Sequence, residues 1–389
     1  MTASQPLLPF RLPPPAGGRV DLLVVAGEHS GDEHAARMVR ELRAKHPELV
    51  VAALGGPGLA AAGAQLLHDL TSTSVVGLVE VLKHYSFFKA LFAETLRWIG
   101  EYRPRAVCFV DYPGLNLRLA AALRERGLSV QGGGRIRLLY YISPQIWAWK
   151  AGRRHTMARD LDALAVIFPF EVECYADTRL PVEFVGHPFL APDYVPPVSY
   201  DPQAPVLLLP GSRTQAVARI YPVLLAAQAR YRAGGGEKEA AVIYPSDEVA
   251  AVLQRWDAPG CRAVRTGTTV AASAVLTSSG TMSLHCALAG IPGAIAYRTN
   301  PLTYLLARWW VKLDYIGIAN LLLHEPMYPE FIQGAATPAA LAAQLRACTG
   351  DTERRTRTKA QQQRLRALLD QPAAGTVADW MSRHLQESP

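Results

Sequence analysis

Long apolar runs are missing from this chain of 389 residues. No stretch approaches the roughly 20 uncharged apolar residues that a membrane span needs, so any membrane contact is expected to be peripheral. Cysteine is scarce: Cys108, Cys174, Cys261, Cys286 and Cys348 form no C-x-x-C pair and are odd in number. That argues against a disulfide framework and fits free thiols in a reducing cytoplasm. The G-x-G-x-x-G and Walker A loops are absent, which removes support from dinucleotide oxidoreductases and P-loop NTPases. There is no G-x-S-x-G elbow for a hydrolase. No RNP, zinc-finger or helix-turn-helix signature is present. The ten histidines show no metal-ligand spacing. The one D-x-D, Asp160-Leu161-Asp162, precedes an apolar strand pattern instead of following it. It is therefore expected away from any site at strand ends, and neither a metal nor another cofactor is expected.

The charge imbalance is mild, +7 from 40 Lys and Arg against 33 Asp and Glu. It favours anionic partners such as phosphates, nucleotides and acidic lipid headgroups, and it is too small to argue for nucleic acid. Half of the residues are apolar, enough for two buried cores, and the length suggests two domains. Residues 1–19 hold five prolines and no unbroken apolar run, so they read as a flexible Pro-rich arm and not as a signal peptide. From residue 20 to 190, short apolar runs (VDLLVVA 20–26, VVAAL 50–54, AVCFV 106–110, RLLYYI 137–142, LAVIF 164–168, VEFVG 182–186) alternate with helical patterns. Fully apolar strands alternating with helices predict an α/β fold with a parallel sheet covered on both faces. The stretch 187–205 carries six prolines in nineteen residues, and 191–205 reads as an interdomain linker. The alternation restarts over 206–350 with VLLLP (206–210), AAVIYP (240–245), AVLTSS (274–279) and GAIAYR (293–298). Residues 351–389 read as closing helices that pack back on the first domain. Two doubly wound domains are thus expected to face a cleft, with ligands at the strand-to-helix turns.

Five turns stand out. After the first strand comes Gly27-Glu28-His29-Ser30-Gly31-Asp32, whose backbone N–H groups suit an anion or a sugar hydroxyl; Ser30 or Asp32 as a plain helix N-cap explains it equally. Asp111-Tyr112-Pro113-Gly114-Leu115-Asn116 places a carboxylate at the end of a buried strand, where a general base or a turn-stabilising Asp would sit. Ser143-Pro144-Gln145-Ile146-Trp147-Ala148-Trp149 offers two tryptophans for a sugar-facing wall or for core packing. Gly211-Ser212-Arg213 and Ser278-Ser279-Gly280-Thr281 both join a strand end to a helix start. Together they suit a nucleotide diphosphate held between two helix dipoles, with Arg213 as a clamp. Each alone is also compatible with an unliganded helix start.

A helix is expected over 78–99, with Leu78, Leu82, Tyr85, Phe92, Leu96 and Ile99 on one face and Phe87, Leu91 and Trp98 on the other, near Lys83, His84 and Arg97. An apolar stripe off the core face with basic neighbours suits an anionic leaflet, and a helix buried on two sides is the alternative. Residues 301–312, with Trp309 and Trp310, form a second candidate membrane patch.

Over about residues 20 to 335 the chain resembles the lipid-A-disaccharide synthase family. The matching segments are VAGEHSGD (25–32), GGP (55–57), VVGLVEVL (75–82), FVDYPGLN (109–116), YYISPQIWAWK (140–150), FPFE (168–171), FVGHP (184–188), LPGSR (209–213), SSGT (278–281), DYIGIANLLL and PEFIQ. The resemblance implies a GT-B fold and an inverting, metal-independent transfer from UDP-2,3-diacylglucosamine to 2,3-diacylglucosamine 1-phosphate. The products would be UDP and a β-1,6 lipid A disaccharide 1-phosphate, made at the inner face of the inner membrane by a homodimer with exchanged C-terminal parts. It implies Asp111 and Glu28 as catalytic residues. Gly211, Ser212, Arg213, Ser279, Gly280, Thr281, His285, Asn320, Glu330 and Gln333 become candidates for the nucleotide, and Ser30, Gly31, Asp32, Asn116 and Ser143 for the acceptor. The chain departs from the family at two positions that usually carry Glu and here carry His285 and Ala216; a neutral imidazole at 285 could still bond a ribose hydroxyl. Another UDP-sugar GT-B enzyme, such as a UDP-N-acetylglucosamine epimerase, and a non-catalytic sugar-nucleotide or lipid-binding relative are the competing readings.

Overall fold

The computed structural model describes residues 10–71, 85–148, 150–300 and 314–386. It divides into two compact units, Met1–Pro188 with Pro372–Pro389, and Phe189–Gln371.

The first unit is built on β1 (Leu22–Ala26), β2 (Val51–Gly55), β3 (Gln65–Asp69), β4 (Ala106–Val110), β5 (Arg137–Tyr141), β6 (Ala163–Val166) and β7 (Val182–Phe184), in the order β3-β2-β1-β4-β5-β6-β7. All neighbours are parallel, with Leu22 opposite both Val51 and Ala106. Every residue of β1, β2, β4 and β6 is buried, because helices cover both faces of the sheet. The helix His29–Lys45 after β1 turns Ala35, Met38, Val39 and Leu42 inward, the 3-and-4 spacing of one helical face.

The second unit repeats the plan with β9 (Val206–Leu209), β10 (Ala240–Tyr244), β11 (Cys261–Arg265), β13 (Ala274–Thr277), β14 (Gly293–Tyr297) and β15 (Glu330–Ile332), in the order β11-β10-β9-β13-β14-β15. Two short strands, β8 (Val198–Tyr200) and β12 (Val270–Ala272), pair separately. Within each main sheet the strands therefore run third-second-first-fourth-fifth-sixth, with a seventh added at the end in the first unit. The connections reverse direction between β1 and β4 in one sheet and between β9 and β13 in the other, and each reversal opens a crevice at the carboxyl ends of the two strands.

Several expectations need correction. The described part of the Pro-rich arm is not loose. Leu12 is buried in the core, its N–H donates to Glu94 at 2.9 Å, and the Pro13 carbonyl accepts Trp98 Nε1–H at 2.8 Å. Gln65 ties the same segment down through the Pro14 carbonyl and the Ala16 N–H. This strap lies along the helix Tyr85–Tyr102, which is why Leu91 and Trp98 are fully buried and do not form a membrane-facing stripe. Phe87 is half-buried, with its ring against Phe10 and His68. Trp309 and Trp310 lie outside the described residues. The linker also has structure of its own. Pro196 and Pro197 hold the chain extended into β8, and their carbonyls accept from Thr269 and Val270. Of the closing helices, Thr352–Leu369 stays in the second unit, where Arg354 donates to the Gly293 and Met327 carbonyls. Only Val377–Gln386 returns to the first unit, with Trp380 buried, Lys45 bonded to Asp379 and His46 to Ser382 at 3.0 Å. Among the described residues, no helix is long and apolar enough to cross a membrane.

Candidate functional site

The first crevice is formed by the turns after β1 and β4. Asp111 and Tyr112 leave β4 in consecutive left-handed conformations, φ 46° and 48°. Such a conformation is costly for residues with a Cβ and persists only where the surroundings hold it. Here the Asp111 N–H donates to the Tyr141 carbonyl at 3.0 Å. The Asp111 carbonyl accepts from the Tyr140 hydroxyl at 2.6 Å and from Asn116 Nδ2 at 2.7 Å. Tyr140 is fully buried, and burial followed by the Asp111 charge pushes its hydroxyl pKa far up, so the phenol remains a donor. These three bonds turn the Asp111 side chain out of the sheet, half-exposed at the strand end. Across the crevice, the Tyr112 ring covers Gly27; a Cβ there would meet it at 2.2 Å, which is why the turn after β1 needs glycine at that position. Glu28, half-exposed, precedes the first turn of the helix, which no side chain caps.

The residues expected to touch an acceptor divide into two groups. Ser30 stays half-exposed in the first helical turn beside Glu28. Gly31 is buried, packed 3.7 Å from the Val110 carbonyl by its would-be Cβ. Asp32, Asn116 and Ser143 are not available to a ligand. The buried Asp32 carboxylate accepts the N–H groups of Gly56, Gly58 and Leu59 at 2.7, 2.8 and 3.2 Å, which fastens the turn after β2. The glycines of GGPG (55–58) are the price of that approach, since a Cβ on Gly56 or Gly58 would come within 2.7 Å of the carboxylate. Asn116 is buried beneath Asp111. Ser143 is buried, bonded to the Pro144 carbonyl and, at 2.7 Å, to the Tyr175 hydroxyl. The D-x-D carboxylates are likewise engaged at the amino end of β6: Asp160 with Arg124 and Arg159, and Asp162 with the Leu138 N–H.

Beside this crevice Trp147 packs edge-on against Phe168 and Phe170, with centroids 6.1 and 5.3 Å apart, and Phe170 is among the few exposed large apolar side chains. Phe170 carried no individual sequence signal because it lies in a 3-10 turn with no periodicity. Underneath, buried Glu171 accepts from Trp147 Nε1 and the Phe168 N–H, both at 3.2 Å, and burial raises its pKa to about 8. Trp149 lies outside the described residues.

The second crevice lies between β9 and β13. Gly211, at φ 113°, brings the first turn within 3.3 Å of Ser278 Oγ, measured from a would-be Cβ, and Ser278 N–H donates to the Leu209 carbonyl. The helices Thr214–Ala233 and Thr281–Leu288 both begin here, and neither start is capped by a side chain. Uncapped N–H groups and two dipole ends give the crevice a positive potential. Ser212, Arg213 and Thr281 are exposed, and Ser279 and Gly280 half-exposed, at this opening.

Four other expected nucleotide contacts are used within the fold. His285 is buried between Phe189 (centroid distance 3.9 Å) and Tyr194, whose hydroxyl lies 3.2 and 3.3 Å from the two ring nitrogens. A ring so enclosed does not offer itself to a ribose. Glu330 accepts the Ile316 and Gly317 N–H groups, both at 2.9 Å, and Asn320 Nδ2 at 2.8 Å. Asn320 is fully buried and also exchanges two bonds with the Tyr328 backbone. Gln333 brackets the Thr299 N–H and carbonyl. These side chains shape the loop before the helix Ile318–Leu323.

The sequence profile described as Lipid-A-disaccharide synthetase matches residues 22–378. A Lipid-A-disaccharide synthase of Nitrosococcus oceani is 36% identical over 379 residues, covering 92% of this chain and 94% of that protein. The Lipid-A-disaccharide synthase of Geobacter metallireducens is 34% identical over 387 residues, 93% and 97% of the two chains. Among solved structures, the calicheamicin glycosyltransferase CalG4 superposes with a TM-score of 0.54 at 16% identity, over 95% of this chain and 100% of that one. The S. aureus MnaA–UDP co-structure does so with 0.55 at 10% identity, over 95% and 99%. At these identities the two structures show the shared fold alone.

Two outcomes follow for the first crevice. Asn116→Leu should cost about 1–3 kcal/mol in urea unfolding, because it removes one of the two side-chain donors to the Asp111 carbonyl. It should also lower turnover more than it raises the acceptor KM; a raised KM at unchanged kcat would return Asn116 to direct acceptor contact. Glu171 holds a proton in the fold and not in the unfolded chain between about pH 4.5 and 8, so its contribution to stability falls as pH rises through that window. Urea midpoints of Glu171→Gln should therefore decline less from pH 5 to pH 8 than those of the unaltered protein. Equal declines would mean that Glu171 is ionised in the fold.

Proposed function

The chain belongs to the lipid-A-disaccharide synthase family and is a glycosyltransferase, and from that premise we propose how its two crevices divide the reaction. The second unit takes the UDP moiety of a UDP-2,3-diacylglucosamine donor. The first takes the acceptor, 2,3-diacylglucosamine 1-phosphate. The observation that carries this reading is the match between chemistry and topology. In each unit the motif turns fall at the one crevice where the strand order reverses, with a carboxylate in the first and uncapped helix starts in the second.

Asp111 acts as general base. Its carboxylate accepts the proton of the acceptor hydroxyl as that oxygen forms a bond to the anomeric carbon. The bond from the anomeric carbon to the diphosphate breaks on the opposite face, which inverts the configuration, and its electron pair leaves with UDP. The N–H groups at the starts of Thr214–Ala233 and Thr281–Leu288, with Arg213, stabilise the charge that grows on the departing diphosphate. Gly211 admits the phosphates close to the backbone, and Ser212, Ser279 and Thr281 add hydroxyl donors. Glu28, beside Asp111 in the same crevice, orients the acceptor sugar with Ser30. The half-exposed Trp147 and exposed Phe170 supply an apolar wall suited to the acceptor's acyl chains. Substrates with such chains place the reaction at a lipid surface. Of the described candidates for that contact, Phe87 remains partly accessible and Leu91 and Trp98 do not.

Mass spectrometry of the products from purified protein, the diacylated donor and the monosaccharide phosphate tests the reading directly. Asp111→Ala should bind UDP as the unaltered protein does and lose about 10²–10⁴-fold in turnover; near-normal turnover removes Asp111 from the role of base. Arg213→Ala should weaken UDP binding about tenfold or more in calorimetry, and unchanged UDP affinity places the phosphates elsewhere.

A further inference from the structure

Two Arg-x-Arg pairs stand at the amino ends of adjacent strands in the first unit. Arg103 and Arg105 flank Pro104 just before β4, and Arg135 and Arg137 flank Ile136 at the start of β5. The parallel register sets Ala106 opposite Arg137, which brings the pairs side by side. They line a cavity of about 620 Å³ together with the Gly133–Gly134 turn, and the C-terminal helix closes it through Leu385. This is the opposite end of the sheet from Glu28 and Asp111, so the reaction described above does not use it.

The charges in the cavity do not balance. Arg105 lies 3.8 Å from Asp21 and donates to the Leu385 carbonyl. Asp162, whose carboxylate accepts the Leu138 N–H at 2.7 Å, feels the charge of Arg137. The Arg103 guanidinium donates to the Gly100 carbonyl at 3.4 Å, and among the described residues neither Arg103 nor Arg135 has a carboxylate partner. Among the described residues these four guanidiniums meet two carboxylates, one of which, Asp21, also lies 3.6 Å from Arg19, so positive charge is in excess. Arginine does not shed its proton, so these partly solvent-exposed charges persist across physiological pH and attract anions. Planar guanidinium forks match the oxygens of a phosphate in pairs. The Gly133 turn, at φ 88°, has no atom within 4 Å of a would-be Cβ and leaves room for a ligand to approach the backbone. The volume lies in the range of small-molecule sites.

We infer that this cavity is a binding site for a phosphate monoester, whose dianion complements the local excess of positive charge. The group can arrive on a soluble metabolite or on a lipid headgroup, and the test separates the two. Melting midpoints are measured with glycerol 3-phosphate at fixed ionic strength, against sodium chloride, with saturating UDP throughout to occupy the nucleotide crevice. In parallel, the protein is sedimented with phosphatidylcholine vesicles containing phosphatidic acid or, as the diester control, phosphatidylglycerol. The comparison protein is Arg103→Gln/Arg135→Gln, with Arg135→Gln alone as the milder variant should the double one melt early without ligand. A midpoint rise with glycerol 3-phosphate that needs about tenfold or more ester in the variant supports the site with a soluble ligand. Retention on phosphatidic acid vesicles that the variant loses supports it with a lipid headgroup. Equal responses of the unaltered and altered proteins, or no response to either probe, overturn it.

Discussion

Both sheets are all-parallel and covered on both faces, and this constraint governs where chemistry can occur. A strand buried on two sides disfavours polar side chains, and β1, β4, β9 and β13 carry only apolar side chains apart from Thr277 at the last position of β13. Functional groups are therefore pushed past the strand ends. Where the order reverses, two connections diverge and leave an open crevice. The motifs VAGEHSGD and FVDYPGLN meet at one such place, and LPGSR and SSGT at the other.

The motif residues do two kinds of work. Asp111, Glu28, Ser212, Arg213 and Thr281 reach the opening. Asp32, Asn116, Ser143, Asn320, Glu330 and Gln333 bond backbone groups of the sharp turns and their neighbours. A buried N–H or C=O without a partner costs more than a hydrogen bond returns, so a turn tight enough to aim a carboxylate needs a second residue to bond its backbone. The left-handed Asp111–Tyr112 pair shows the dependence most directly: it relies on Tyr140 and Asn116, both buried and neither exposed to a ligand. His285 extends the pattern. Phe189 and Tyr194, from the Pro-rich stretch, enclose the imidazole.

What escaped the sequence reading did so for identifiable reasons. The strands β3 and β11 are edge strands, half-exposed and mixed in polarity, so they lack the apolar run that marked their neighbours. β8 and β12 are three residues each and exist only because they pair with one another. The stripe of Phe87, Leu91 and Trp98 is a real feature of the helix Tyr85–Tyr102, but periodicity cannot say what covers a face. Here the strap around Leu12 and Pro13 does, through Glu94 and Trp98.

By itself the sequence determined the two-unit α/β plan, the central strands and the turns that carry the motifs, because each is a local consequence of apolar runs, glycine and proline. Only the tertiary structure decided which polar residues of those turns face the crevice and which bond the backbone beneath it. That choice depends on backbone groups distant in the chain: Asp32 meets Gly56 and Gly58, and Glu330 meets Ile316 and Gly317. No residue's identity encodes which partners the fold will bring to it.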